Sequence, residues 1–279
     1  MALRHEPMRV AIGYDGSESA DRVCELVASI DWPPGSRLRV VTAYPPNLPG
    51  EDWPAGGVEP VVAQRVFEAE RSAAEDHAKG AADRIRRPDV TVTSGALMGR
   101  AASVLLDEAS APSTDLLIVG NRGLGPFTIA LVGSVSAEVI DHAACPVLLV
   151  RQPAIDRVLL ADDGSEGAQA AAALLAWPVF ARSLVRVVTV SEKGAHATEA
   201  TPARSATEGL TAAGRAHEID VRSGDPAHEI VQAASEWSAD LIIMGSRGRT
   251  GLARLLLGSV ARKVVTHAPC SVLIKRLPA

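Results

Sequence analysis

The chain has 279 residues, 47% of them apolar and 22% charged, with a formal net charge of -5. Such a composition suits a folded protein with a substantial core and excludes a disordered chain. It also gives no electrostatic reason to expect general binding to nucleic acid or to an acidic membrane surface.

The opening MALRHEPMRV contains no apolar stretch of the secretory kind. The longest apolar run, Ala170 to Ala181, has twelve residues and includes Pro178, too short to span a bilayer. Cys24, Cys145 and Cys270 do not suggest a disulfide framework and agree with a reducing compartment. A cytoplasmic protein is therefore expected.

Short β-branched runs then alternate with Ala-rich segments of helical spacing. In order they are VAI from Val10, RVVTA from Arg39, VTVT from Val90, DLLIVG from Asp115 and CPVLLV from Cys145. YPPNLPGEDWPAGGVEP, from Tyr44 to Pro60, is rich in Pro and Gly and reads as a long loop of the kind that forms lids or binding segments. RQPAI, from Arg151 to Ile155, marks a boundary, and the series then repeats as VLLA, RVVTV, IDVR, DLIIMG and CSVLIK. Two domains are expected, 1–152 and 153–279.

The repeat is explicit. Gly99 to Val150 aligns without a gap on Gly224 to Lys275, with 21 identities in 52 positions. The openings RVAIGYDGSE and RVLLADDGSE also correspond, and the first half carries 23 extra residues, which the Tyr44–Pro60 stretch accommodates. Continuous apolar strands joined by helices imply a parallel sheet covered on both faces, with five strands per half and right-handed crossovers. Each half is thus read as a doubly wound α/β domain, which binds ligands at the carboxyl ends of its strands.

At the end of the fourth strand of each half stands G-x2-G-x9-G-S. It is filled by Gly120, Gly123, Gly133 and Ser134, and again by Gly245, Gly248, Gly258 and Ser259. The first two glycines suit a tight turn with outward N–H groups. The Gly-Ser pair opens a helix and offers free N–H groups, a hydroxyl and the positive end of the helix dipole to an anion. Two such elements facing one another would cradle a polyphosphate. The pattern is neither a Walker A loop, which needs Lys-Ser/Thr after its glycines, nor the GxGxxG fingerprint of a first strand.

These residues, with an Asp-Gly-Ser after the first strand and a His-x-x-Cys segment leading into the fifth, give the chain a resemblance to tandem universal stress proteins of the ATP-binding branch. The resemblance implies two five-stranded domains of strand order 3-2-1-4-5 related by a pseudo-twofold, with CPVLLV and CSVLIK pairing so that one chain forms an intramolecular pseudo-dimer. It places adenine and ribose at Gly13, Tyr14, Asp15, Ala43 and Val119 in the first half, and at Ala161, Asp162, Asp163, Val190 and Met244 in the second. The phosphates of ATP, with Mg2+, would lie on Gly120, Arg122, Gly123, Gly133, Ser134 and Val135, or on Gly245, Arg247, Gly248, Gly258, Ser259 and Val260. No protein metal cage is read.

Alternatives stand beside several of these. Asp15 and Asp163 could cap the first helix of each half, since Asp-Gly-Ser-Glu has the spacing of a capping box. Arg122 and Arg247 could pair with a carboxylate rather than a phosphate. His142 with Cys145, and His267 with Cys270, resemble half of a zinc site. No base or nucleophile motif accompanies the glycines, so an ATP-binding regulatory protein is favoured over a slow ATPase or nucleotidyl-transfer enzyme, or a scaffold with vacant sites. Further self-association is plausible.

Overall fold

The computed structural model of the chain describes residues 6–46, 60–111, 114–121, 132–191, 209–211, 214–248 and 257–277. The first half contains β1 (Arg9–Gly13), α1 (Glu18–Ser29), β2 (Arg37–Tyr44), α2 (Pro60–Arg84), β3 (Thr91–Met98), α3 (Ala101–Ser110), β4 (Leu116–Gly120), α4 (Ser134–His142) and β5 (Val147–Val150). The second contains β6 (Arg157–Ala161), α5 (Glu166–Ala173), β7 (Leu184–Ser191), β8 (Glu218–Ser223), α6 (Pro226–Glu236), β9 (Leu241–Gly245), α7 (Ser259–His267) and β10 (Ser271–Lys275). Most of the Pro/Gly-rich loop falls in 47–59, outside the described residues.

All ten strands join one sheet in the order β3-β2-β1-β4-β5-β10-β9-β6-β7-β8. Each half has the order 3-2-1-4-5, and every neighbouring pair is parallel except β5 with β10. The central strands VLLV and SVLIK are buried almost throughout, as expected where helices cover both faces. The edge strands β3 and β8 are largely exposed.

The composition-based reading of the third strand stops at Thr93, yet β3 runs on through Ser94 and Gly95 to Met98. Ser-Gly is a pair that composition assigns to turns. In the fold the glycine makes space for a neighbour: a β-carbon at Gly95 would lie 3.2 Å from Arg39 Nη2. Arg39 Nε in turn donates to both carboxylate oxygens of Glu108 at 3.0 Å.

The seam between halves is antiparallel, with Val147, Leu148 and Leu149 opposite Ile274, Leu273 and Val272. Ser271 Oγ accepts the main-chain N–H of Arg151 at 3.1 Å, and the Arg151 guanidinium donates to the Cys270 carbonyl at 3.2 Å. All three cysteines are free and buried. Burial pushes the Cys145 and Cys270 thiols up to about 11 and about 12, which makes them inert packing groups. Among the described residues, no helix is long and apolar enough to cross a membrane.

Leu273 is fully buried at the seam, directly opposite Leu148. Truncation to Ala is expected to cost about 2–5 kcal/mol, read as a lowered midpoint in urea unfolding followed by circular dichroism. An unchanged midpoint would show that the seam contributes little.

Candidate functional site

Strand adjacency assembles the site. β1 pairs with β4 (Ile12 opposite Ile118) and β6 with β9 (Leu160 opposite Ile243). The Asp-Gly-Ser turn of each half therefore sits beside the glycine that ends the fourth strand. In that turn Gly16 and Gly164 take positive φ, 77° and 76°. Asp15 Oδ1 accepts the Ser17 N–H at 3.1 Å, and Asp163 Oδ1 accepts the Ser165 N–H at 3.0 Å. The serines then cap the helices, with Ser17 Oγ accepting from Ala20 N at 3.2 Å and Ser165 Oγ from Ala168 N at 3.1 Å. Asp15 and Asp163 shape the turn and do not cap α1 or α5, and the glutamates stand at the first helical position, not in a capping box.

The strand-end glycines serve a different purpose from the tight turn expected of them. Gly120 and Gly245 are not among the positive-φ residues. A β-carbon on Gly120 would lie 2.7 Å from Ser19 Oγ and 3.0 Å from the Ser19 carbonyl carbon. On Gly245 it would lie 2.7 Å from the carbonyl carbon of Gly167. Glycine is thus required because the first turn of α1 or α5 packs directly on the end of β4 or β9. Gly248 also lacks positive φ, and a β-carbon there would run into Asp163 Oδ2.

Main-chain bonds fix the described ends of the segment between β4 and α4 and of that between β9 and α7. The N–H of Asn121 donates to the Val150 carbonyl at 3.1 Å and that of Ser246 to the Lys275 carbonyl at 2.8 Å, fixing where the chain leaves the sheet. It returns where Gly133 N–H donates to the Asn121 carbonyl and Gly258 N–H to the Ser246 carbonyl, both at 2.8 Å. The fourth-strand end and the helix start are thereby neighbours in both halves. Gly133 and Gly258 are the N-caps of α4 and α7 and supply no side-chain acceptor, so the amides of the first helical turn are not capped from their own N-cap residue. α1, α5 and α6, in contrast, are capped by Ser17, Ser165 and Asp225. Such a helix start presents N–H groups and a positive dipole end to an anion.

The apolar wall beside this junction lies on the α3–α4 face of the first half and the α6–α7 face of the second. Ala43, Val119 and Val135 pack in one cluster there, as do Ala161, Val190, Met244 and Val260. Gly13 faces the same way, since a β-carbon on it would meet Leu105 Cδ1 at 3.0 Å and Val119 Cγ1 at 3.3 Å. Tyr14 points to the opposite face and packs on the α1–α2 core. Its hydroxyl donates to Asp21 Oδ1 at 2.8 Å and its ring meets His77 edge-on. Burial, reinforced by Asp21, pushes the Tyr14 hydroxyl up to about 12. Its side chain therefore does not join the apolar wall on the α3–α4 face.

Asp162 holds the position that corresponds to Tyr14 and is 3% exposed. Its Oδ1 accepts the Gly164 N–H at 2.8 Å, while Oδ2 and the nearby-strand hydroxyl of Thr189 are buried without a hydrogen-bond partner. Burial raises the Asp162 carboxyl above the usual carboxylate range, and the Asp163 charge raises it further, against the Gly164 N–H, which lowers it.

Arg247 is half-buried at the second junction, and its charge adds to the burial that lowers the Arg276 pKa, so two cations stand close together there. Arg122 and Gly123, and with them Arg249 and Arg254, lie outside the described residues. Among the described residues no group of three His, Cys, Asp or Glu is placed to hold a metal ion. The carbonyls of Asn121 and Ser246 escaped the sequence reading because a main-chain acceptor carries no residue signature. Ser17 and Ser165 were legible as caps but were overshadowed by the aspartates before them.

A model of the Universal stress protein family matches residues 7–151 and again 154–276. A universal stress protein of Mycolicibacterium smegmatis is 27% identical over 294 aligned positions, covering 96% of each chain. A universal stress protein of Thermus aquaticus is 35% identical over 144 residues, 51% of this chain and 97% of its own. The crystal structure of a universal stress protein from Archaeoglobus fulgidus superposes with a TM-score of 0.74 at 21% identity, covering 96% of this chain and 98% of that one, and shares the fold.

The raised Asp162 pKa has a definite sign for stability. The folded state holds the proton more tightly than the unfolded state, so stability is full below the ordinary carboxylate pKa and falls as pH rises through the folded value. Asp162→Asn keeps the acceptor for Gly164 and cannot ionise. Its Tm is expected to exceed that of the unsubstituted protein at pH 7 by roughly 2 °C, an advantage that shrinks as the buffer is acidified toward pH 4. A Tm lowered at pH 7 would contradict this.

Proposed function

The chain belongs to the universal stress protein family, and on that premise we propose that it is an ATP-binding regulatory protein with one nucleotide site in each domain. The observation that carries the reading is the twice-built junction in which a strand end, an Asp-Gly-Ser turn and a helix start with no side-chain cap converge. An anion of several charges suits amides aligned along a helix dipole, and the neighbouring apolar wall suits a flat base.

In this reading the base and ribose lie against Gly13, Asp15, Ala43 and Val119, or against Ala161, Asp163, Val190 and Met244. The phosphates rest on the main chain of Gly120, Gly133, Ser134 and Val135, or of Gly245, Gly248, Gly258, Ser259 and Val260, with Arg122, Gly123 and Arg247 completing the two cradles. When bound with the nucleotide, Mg2+ would supply neutralisation of the phosphate charge. What the chain contributes is orientation: fixed N–H donors, an apolar slot and exclusion of water from one side of the base. Bound nucleotide then biases the conformation or partner choice of the protein, as a ligand with unequal affinity for two states must.

The two sites differ in charge. The nine residues before Gly133 read LGPFTIALV, whereas those before Gly258 read RTGLARLLL and add Arg249 and Arg254 to Arg247. The second site is therefore expected to bind ATP at least as tightly as the first. Native mass spectrometry should find two ATP per chain, and calorimetric titration of Gly123→Trp and Gly248→Trp should find one each. Tighter binding left in the Gly248→Trp protein would refute the ranking. Absence of nucleotide from both sites of the unsubstituted chain at millimolar Mg-ATP would refute the function.

A further inference from the structure

We propose that Asp141, in the last turn of α4, is a positioning residue for the phosphate cradle of the other half; the proposal deepens the reading of that cradle as a nucleotide site. α4 begins at the first cradle and ends against the second. There the Asp141 side chain, 15% exposed, crosses between halves. Its Oδ1 accepts the main-chain N–H of Leu257 at 3.4 Å, and both its oxygens accept from Arg262 Nη2, at 3.0 and 3.3 Å. The Asp141 carbonyl accepts from the Arg276 guanidinium.

These contacts bracket the start of α7. Leu257 precedes the Gly258 N-cap, and Arg262 lies one turn inside the helix, its own N–H bonded to the Gly258 carbonyl at 2.9 Å. Gly258 is held from its other side by the Ser246 carbonyl. One carboxylate therefore grips the helix start at two points a turn apart, and so fixes the direction in which the amides of Ser259 and Val260 face. Donors held in place before the ligand arrives lose less entropy on binding. The neutralising guanidinium of Arg262 keeps the carboxylate from repelling a phosphate.

The brace is built in one direction only. In the reverse direction the place of Asp141 is taken by Thr266 of α7 and that of Arg262 by Ala137 of α4. Thr266 Oγ1 donates to the Arg262 carbonyl within its own helix, at 2.9 Å. Ala137 has no group to receive a carboxylate. Arg276 does have a counterpart, Arg151, which likewise donates to carbonyls across the seam. The seam arginines are thus common to both halves, and the carboxylate brace belongs to the second cradle.

The test compares Asp141→Ala with Asp141→Asn, both in a Gly123→Trp background so that ATP titration reads the second site alone. Asn retains an acceptor for Leu257 while removing the charge. Asp141→Ala is expected to weaken ATP binding roughly tenfold and Asp141→Asn less than about threefold. Amide hydrogen exchange without nucleotide should show faster exchange at Leu257 to Val260 in the Ala protein, with the first turn of α4 unchanged. ATP affinity unaltered in both variants, or tightened in both as simple charge repulsion requires, would overturn the proposal. So would unchanged exchange at the start of α7. If the Asp141-containing protein binds no ATP at either site, the functional reading falls by itself, and the exchange measurement still decides the brace.

Discussion

The site depends on a steric constraint: the first turn of one helix rests on the end of a strand with no room for a β-carbon between them. Gly120 against Ser19 and Gly245 against Gly167 impose it in the two halves. The closeness is mutual, since a β-carbon on Gly167 would itself lie 2.7 Å from the Arg247 carbonyl oxygen. Moving α5 outward by the width of a methyl group would separate the Asp163 turn from the loop after β9. Asp163 Oδ2 now lies against Gly248. The glycines are accordingly packing residues whose effect is to bring an aspartate, a strand end and a helix dipole to one point.

A second constraint is the seam. Because β5 and β10 pair antiparallel, the two fifth strands occupy the centre of the sheet and are covered on both faces, while β3 and β8 become its edges. Only the β8 edge carries charge: Arg222 meets Asp220 at 2.9 Å and Glu236 at 2.6 Å, and Glu218 meets Arg186 at 2.5 Å, while β3 has no charged residue. Charges along an edge strand discourage further strands from adding to the sheet on that side. The same seam carries α4 toward the helix start of the opposite half, which is how Asp141 comes to touch α7.

Much of this was legible in the residues. The repeat and the five strands of each half follow from continuous apolar runs and from motif spacing, because burial on both faces leaves an unbroken record in composition. The strand order and the pairing of CPVLLV with CSVLIK, in contrast, are implied only by the resemblance to tandem universal stress proteins. The directions of single side chains were not legible. Tyr14 and Asp162 directly precede the Asp-Gly-Ser aspartates in sequence, yet the alternation that turns Gly13 to the α3–α4 face turns Tyr14 into the α1–α2 core, where Asp21 and Arg84 await it. Glycine patterns show that a β-carbon is excluded and not what excludes it. At Gly120 the answer is a neighbouring helix, at Gly95 an arginine, and at Gly16 the backbone φ. The brace at Asp141 left no trace either, since its partners stand 116 and 121 positions away.

Joining two copies in one chain removes a restriction that a symmetric dimer cannot escape, where any substitution appears in both sites at once. Here the halves have diverged at the supports of the site as well as at its wall, where Gly13, Ala43 and Val119 stand opposite Ala161, Val190 and Met244. Ser136 Oγ donates to the Gly120 carbonyl at 2.7 Å, a bond that Ala261 cannot make to Gly245. The second half has instead the Asp141 carboxylate from across the seam. Each cradle is therefore steadied by a different bond, one internal to its domain and one borrowed. A net contribution of about 1 kcal/mol from either corresponds to roughly fivefold in affinity. On the proposed reading, that is enough to give the two cradles distinct occupancies at one nucleotide concentration.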